Sequence, residues 1–363
     1  MGRTAVTVSL SLGAVRSGVF GASVLSQRTQ ELYTPRKIDR RWFSLLVAGV
    51  VAMALVPVFA VQDGERPSRR PDRGGQERFQ RADPAADAEP SRVLIVTGQN
   101  NHDWRRTTPM LVAILGDAGD LFDIDTSTSP AGGGNDAGWA DWRPSFGDYD
   151  VVVLDYNGQM WPGEVRAAFE AYIEGGGKAL LVHAANNAFT GWTEYEQMTG
   201  LLWRNADYGD RLYYNAAGEL VRVPAGEGGG AGHGPKYAWP ITHREEHPIF
   251  EGLPTTWMHA FDELYQNQRG PAENMTILAT AHATKGGTGQ HEPMIWTIPY
   301  GDGTVMTFLP GHLWNNQENT EAFRCVGFRT LFQRSCEWLA TDAVTVPVPD
   351  NFPTADETSV VEE

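Results

Sequence analysis

Three of the nine histidines stand where they can meet. His102, His183 and His312 each follow closely on an apolar run of strand length, and His102 and His312 share a His-x-Trp spacing with Trp104 and Trp314. Beside them lie Asn100, Asn101 and Asp103 after the first run, Asp155, Tyr156 and Asn157 after another, and Asn186 and Asn187 after His183. Imidazoles that converge with carboxylates and amides support two kinds of chemistry. One is metal-assisted, with nitrogen ligands from the histidines and an open position for a substrate. The other is general acid–base catalysis by a His–carboxylate pair. One histidine at a strand end is usually a cap or a loop anchor; three in equivalent positions point to a pocket. The three are scattered, with no H-x-x-x-H or H-E-x-x-H spacing, so the residues alone favour acid–base participation over a metal site.

For these residues to meet, the apolar runs must lie side by side with their ends at one edge. RVLIVT (92–97), LFDIDTS (121–127), YDVVVLDY (149–156) and KALLVH (178–183) read as strands, and the most apolar of them need cover on both faces. Thr107-Thr108-Pro109 reads as the start of a helix to about Ala118, with Thr as cap and Pro in the first turn. A second helix starts at Pro162 and stops at Gly175-Gly176-Gly177. TILATA (276–281), MIWTIPY (294–300) and TVMTFLP (304–310) follow as strands, then a helix from about Glu321 to Leu339. The alternation predicts an α/β fold with a mostly parallel open sheet and helices on both faces, a three-layer sandwich. Ligands in such sheets sit beyond the carboxyl ends of the strands, where the polar residues lie.

Other classes are excluded by composition. Residues 1–90 carry a net charge of +4 and residues 91–363 a net of −20, so the folded part lacks the basic footprint of a nucleic-acid binder. The 2 cysteines cannot build a disulfide scaffold. Gly132–Gly134 and Gly228–Gly230 are glycine runs outside any strand–loop–helix setting, and no nucleotide-binding loop follows the first strand. Residues 40–60 place Arg40-Arg41 before an apolar stretch ending Val58-Phe59-Ala60, the order of an export signal, with the paired arginines of the twin-arginine type; the expected destination is periplasmic or extracellular. If uncleaved, this stretch is the membrane contact. The expected organisation is an N-terminal extension and signal (1–60), a disordered linker (61–90), one domain (91–340) and an irregular tail (341–363).

The segments VLIVTGQNNHDWRRTTPML, YDVVVLDYNG, AYIEGGGKALLVHAANNAF, HPIFEGLP, FDELYQN, ILATAHA and GDGTVMTFLPGHLWNN occur in this order. Together they resemble the trehalose-utilisation (ThuA-like) family over nearly the whole domain. The resemblance implies a flavodoxin-like fold related to class I glutamine amidotransferases and a role in carbohydrate catabolism, including keto-sugars. Its polar positions carry over as His102, Asp103, His183, Asp262, Glu263 and His312. Amidotransferases place a Cys nucleophile after the central strand. Here the turn reads Val182-His183-Ala184, and Cys325 and Cys336 lie in the last helix as core thiols, so that chemistry is excluded. Two Gly-rich insertions, Ala131–Gly138 and Ala225–Gly234, depart from the family pattern and read as lids or surface loops.

On the metal-assisted reading, His102, His183 and His312 would supply nitrogen ligands to a divalent zinc, manganese or nickel ion, and Asp103 or Glu263 would add an oxygen. Without a metal, a His–carboxylate pair takes a proton beside a keto-sugar carbonyl or protonates a leaving oxygen. Asp262 and Glu263 are adjacent and face opposite ways in a strand, which weakens a paired-carboxylate glycosidase reading. Asn101, Trp104, Tyr156, Asn157, Asn186 and Trp314 are the candidate sugar contacts, aromatic faces for the ring and amides for hydroxyls. The expected partner is a small carbohydrate. Against the enzyme stand a non-catalytic carbohydrate-binding domain, motivated by the missing nucleophile, and an assembly role, motivated by the 12 Trp.

Overall fold

The computed structural model describes residues 89–362; the segments expected to be the N-terminal extension, an export signal and nearly all of a linker lie outside them. Strands and helices alternate first: β1 (Ser91–Thr97), α1 (Trp104–Gly116), β2 (Phe122–Thr128), the single turn α2 (Gly138–Asp141), β3 (Val151–Leu154), α3 (Gly163–Glu174), β4 (Lys178–Val182) and α4 (Thr193–Thr199). Strands then dominate. They are β5 (Arg211–Tyr214), β6 (Leu220–Val223), β7 (Gly232–His233), β8 (Tyr237–His243), β9 (Thr256–Asp262), β10 (Tyr265–Gln266), β11 (Thr276–His282), β12 (His291–Tyr300) and β13 (Gly303–Phe308). The helices α5 (Glu321–Arg324) and α6 (Val326–Thr341) follow. No helix among the described residues is long and apolar enough to cross a membrane.

The strands β2, β1, β3, β4 and β13 lie side by side in that order and run parallel, which is the flavodoxin-like arrangement. Beyond β13 the sheet continues through β12, β11, β8 and β9, all antiparallel, and β5 and β6 join at β12. The sheet is therefore mixed, with a parallel half and an antiparallel half. The reason is the length of the links. Tyr300 pairs with Gly303 across the turn Gly301-Asp302, and so short a connection permits only antiparallel neighbours.

Each central parallel strand alternates its side chains between two cores. Val93, Ile95, Val151, Val153, Leu180 and Val182 face one cluster, with Leu111, Ile114 and Leu115 of α1 and Phe328, Leu331 and Phe332 of α6. Leu94, Val96, Val152, Leu154, Ala179 and Leu181 face the other, with Val165, Phe169 and Ile173 of α3. Continuous apolar runs thus reflect burial on both faces, as expected of strands between helix layers. The last helix breaks at Cys325, whose backbone is extended at φ −57°, ψ 121° and pairs with Val360. Cys325 and Cys336 are both buried free thiols.

Helix α1 starts earlier than its sequence suggests, at Trp104, with Pro109 inside it. Thr107 is no cap. Its hydroxyl and that of Thr108 each donate to Asp155 Oδ2 at 2.7 Å, Thr97 donates to Thr108 at 2.7 Å, and Asn100 Nδ2 reaches Asp155 Oδ1 at 3.3 Å. This network ties α1 to the ends of β1 and β3. Burial pushes the Asp155 carboxyl above its ordinary range, although the hydroxyl and amide donors pull the other way. Asp155→Asn keeps the acceptor and is expected to cost less than about 1 kcal/mol in urea denaturation. Asp155→Ala strands two buried hydroxyls and is expected to cost about 2–4 kcal/mol.

Candidate active site

The carboxyl ends of β1, β4 and β13 share one edge, and the chain beyond each delivers a histidine. His102 precedes α1, His183 follows β4 directly, and His312 follows the turn after β13. Their rings pack edge to face, with centroids 4.7 Å apart for His102–His183 and His102–His312 and 5.3 Å for His183–His312. All three are buried. His183 has φ +46°, the left-handed region, at the sharp turn from strand to helix that in the amidotransferase pattern holds the nucleophile.

Hydrogen bonds set which nitrogen is available on two of the three rings, while His312 Nδ1 is buried without a partner. His183 Nδ1 lies 2.7 Å from the Leu309 carbonyl, which only accepts, so Nδ1 carries the proton and Nε2 has the lone pair. The Tyr265 hydroxyl donates to that Nε2 at 2.8 Å. His102 Nδ1 faces the side-chain oxygens of Asn101 (3.2 Å) and Asn100 (3.4 Å), which likewise leaves Nε2 free. His312 Nε2 faces Glu263 Oε1 at 3.2 Å. An outer hydrogen bond that fixes the tautomer and aims the other nitrogen inward is the usual support of a metal-bound imidazole.

Electrostatics agrees with that geometry. Burial lowers the pKa of His102 and of His183 to about 3, helped by neighbouring positive charge. Burial lowers His312 as well, and it pushes the Glu263 carboxyl up against the pull of His233 and Lys236. The imidazoles are neutral at physiological pH, the protonation state a metal needs.

One ligand atom each from His102, His183, Glu263 and His312 lie within 4.8 Å of one another. Ligands about 2.0–2.1 Å from a tetrahedral zinc ion stand about 3.4 Å apart, so the widest pair must close by roughly 1.4 Å. Binding also requires the Tyr265 hydroxyl to leave His183 Nε2. With those two adjustments the donor set fits a divalent ion. Three of them, His102, Glu263 and His312, border a cavity of about 410 Å³, with His183 behind them and with Asn101, Asn187, Trp203, His233, Lys236, Tyr265 and Trp314 as the other walls.

Residues 92–339 match the ThuA family model, described as trehalose utilisation. The chain belongs to the ThuA family. It is 38% identical to a ThuA-like protein from Parabacteroides merdae, whose crystal structure superposes with a TM-score of 0.70 over 75% of this chain and 98% of that one. A ThuA-like protein from Bacteroides uniformis is 17% identical, with a TM-score of 0.47 over 72% of this chain and 95% of the other. A glutamine amidotransferase from Thermotoga maritima is 14% identical, with a TM-score of 0.31 over 60% and 74%. No curated protein of described function matches.

In this ThuA domain the expected site residues separate into two groups. His102, His183, Glu263 and His312 converge, and Asn101 and the 47%-exposed Trp314 line the same cavity. Asn157 stands behind the rim and donates to Asn101 Oδ1 at 2.6 Å. Asp103, Trp104, Tyr156, Asn186 and Asp262 are not among the lining residues. Asp103 sits at the start of α1, 3.7 Å from Arg106, and Trp104 packs under Arg105. Tyr156 belongs to the buried aromatic core and donates to the Gln159 carbonyl, and Asn186 is buried against Gln268.

Asp262 is a buried strut. Its Oδ2 meets His259 Nε2 at 2.7 Å and the Gly311 N–H at 2.8 Å, while Oδ1 takes the N–H groups of Glu263 (2.7 Å) and His312 (3.0 Å). Burial opposes protonation of His259, but the Asp262 carboxylate and the Cys325 thiol outweigh it and lift its pKa to about 9.

Sequence reasoning missed Trp203, His233, Lys236 and Tyr265. The signals were a lone His in a glycine run and a Tyr two residues beyond Glu263.

Two outcomes follow from the neutral, occupied imidazoles. Folded His102 and His183 refuse a proton down to about pH 3, whereas unfolded imidazoles take one near 6.5, so the unfolded state binds more protons in that window. Urea midpoints are expected to fall as pH drops from about 6.5 toward 4, and less steeply in His102→Gln. Tyr265→Phe removes the competing hydroxyl, whose bond is worth about 1 kcal/mol, and is expected to tighten zinc binding about fivefold in calorimetric titration.

Proposed function

We propose that this ThuA domain is a metal-dependent enzyme of carbohydrate catabolism that works on a keto-sugar. The observation that carries this reading is the convergence of three neutral imidazoles and Glu263, with the inward nitrogens of His102 and His183 already freed by outer hydrogen bonds. His102, His183, His312 and Glu263 would hold a zinc, manganese or nickel ion. When bound, such an ion polarises a carbonyl or hydroxyl oxygen as a Lewis acid. The family's description as trehalose utilisation supports a sugar as the substrate class.

The remaining groups suit that ligand. Trp314 stands on the cavity wall with its ring parallel to His312 (interplanar angle 5°) and Trp203 lines the cavity too, so both offer apolar faces to a sugar ring. Asn101 and Asn187 supply amides for hydroxyls. The elbow residue His183 takes no nucleophilic part, because its Nδ1 is bound to the Leu309 carbonyl and its Nε2 faces the cluster.

Purified protein is expected to bind about one divalent ion per chain, and His102→Gln or His312→Gln to weaken it at least a hundredfold. A screen of neutral sugars and their keto derivatives is expected to show turnover only with the ion present. Tight sugar binding with no product under any metal would replace this reading with that of a carbohydrate-binding domain.

A further inference from the structure

The Gly-rich insertion is a built wall of the cavity. Arg269, fully buried, sends its guanidinium to the carbonyls of Gly229 (2.9 and 2.6 Å), Glu227, Pro224 (3.3 Å) and Gly209 (3.4 Å). The Ala231 N–H bonds the Arg204 carbonyl at 2.9 Å, and β7 pairs with β10 so that His233 lies opposite Tyr265. A Cβ on Gly234 would stand 2.3 Å from the Lys285 carbonyl, so only glycine permits this approach. The segment expected to be a lid or a surface loop therefore holds one side chain, and sets a second just beyond its end, at a fixed place on the cavity wall.

Those side chains are His233 and Lys236. His233 Nδ1 donates to the Gly234 carbonyl at 2.7 Å, which fixes the lone pair on Nε2. That nitrogen stands 3.7 Å from Glu263 Oε1 and lines the same cavity. The Lys236 ammonium is 3.9 Å from the same oxygen and hydrogen-bonds Gln317 Oε1. It is one of only three lysines in residues 89–362, in a region with far more acidic than basic side chains.

We propose that His233 is the catalytic residue that removes the carbon-bound proton beside the keto-sugar carbonyl, and that Lys236 holds the oxyanion that forms. This deepens the keto-sugar reading above and rests on it. The C–H bond breaks and its proton passes to His233 Nε2. The bonding pair becomes the carbon–carbon double bond of an enolate, and the carbonyl π pair moves onto oxygen, where the Lys236 ammonium donates a hydrogen bond. The hydroxyl on the carbon that lost its hydrogen then passes its proton to that oxyanion, and return of the first proton from His233 to the former carbonyl carbon regenerates the neutral imidazole and yields the isomer with its keto group moved one carbon along the ring. No oxidant, reductant or second substrate is consumed.

The test uses the full chain loaded with zinc and the 2-keto, 3-keto and 4-keto derivatives of methyl glucopyranoside. NMR in deuterated water follows exchange of the hydrogen next to the carbonyl. His233→Gln is expected to slow exchange about a hundredfold, while its zinc and keto-sugar affinities stay within about threefold of the unaltered protein. Lys236→Met is expected to weaken binding of D-gluconohydroxamate, an enolate mimic, about tenfold, and to leave methyl glucopyranoside binding unchanged. Exchange at the unaltered rate in His233→Gln would overturn the assignment and leave the keto-sugar reading standing. An unaltered protein that binds zinc and keto-sugars but exchanges no hydrogen would overturn both.

Discussion

The geometry of the site depends on one buried carboxylate. Asp262 gathers the N–H groups of Glu263, Gly311 and His312, so the end of β9 and the turn after β13 are held at a common point. Gly311 makes that turn at φ +109°, and a Cβ there would stand 2.9 Å from the Phe328 ring. An anion this deep needs a counter-charge, and His259 supplies it at 2.7 Å. Cys325 completes the arrangement, since burial alone would raise its thiol, but contact with His259 lowers it. The trio looks like a nucleophile with its base and orienting acid. It is sealed in the core, and its reach toward the cavity is purely mechanical, through the backbone that carries Glu263 and His312.

Around that strut the site sits at the seam between two kinds of sheet. The three histidines come from the carboxyl ends of parallel strands, the position where α/β sheets bind ligands. Glu263, Tyr265 and His233 come from the antiparallel half and its short companion strands β7 and β10. The parallel half contributes buried neutral nitrogen donors, and the antiparallel half contributes oxygen, phenol and charge. Neither half holds a complete site.

The sequence revealed the first contribution far better than the second. His102, His183 and His312 were legible because continuous apolar runs mark strands buried on both faces, and because the residue after such a strand must fall at the ligand edge. Position after a strand does not say which way a side chain turns. Tyr156 and Asn186 occupy the same kind of position as His183 and point into the core. Asp262 and Glu263 were weakened as a pair because neighbours in a strand face opposite ways. That alternation is what lets one act as strut and the other face the cavity. His233 and Lys236 were illegible, since a glycine run with no periodicity gives no hint that a buried Arg269 some 36 residues later in the chain will immobilise it. The direction of the later strands was illegible for a related reason: apolar runs announce burial, and direction is set by link length, as at Gly301-Asp302.

The clamp by Arg269 has an evolutionary meaning. It grips the insertion only by main-chain carbonyls, which every residue type possesses, so the side chains displayed on that wall can change without altering how the wall is held. The central strands have no such freedom, because each of their side chains fills a slot in one of two cores. A scaffold divided in this way lets selection or a protein engineer exchange one short cassette and redirect substrate choice, with the imidazole floor inherited intact.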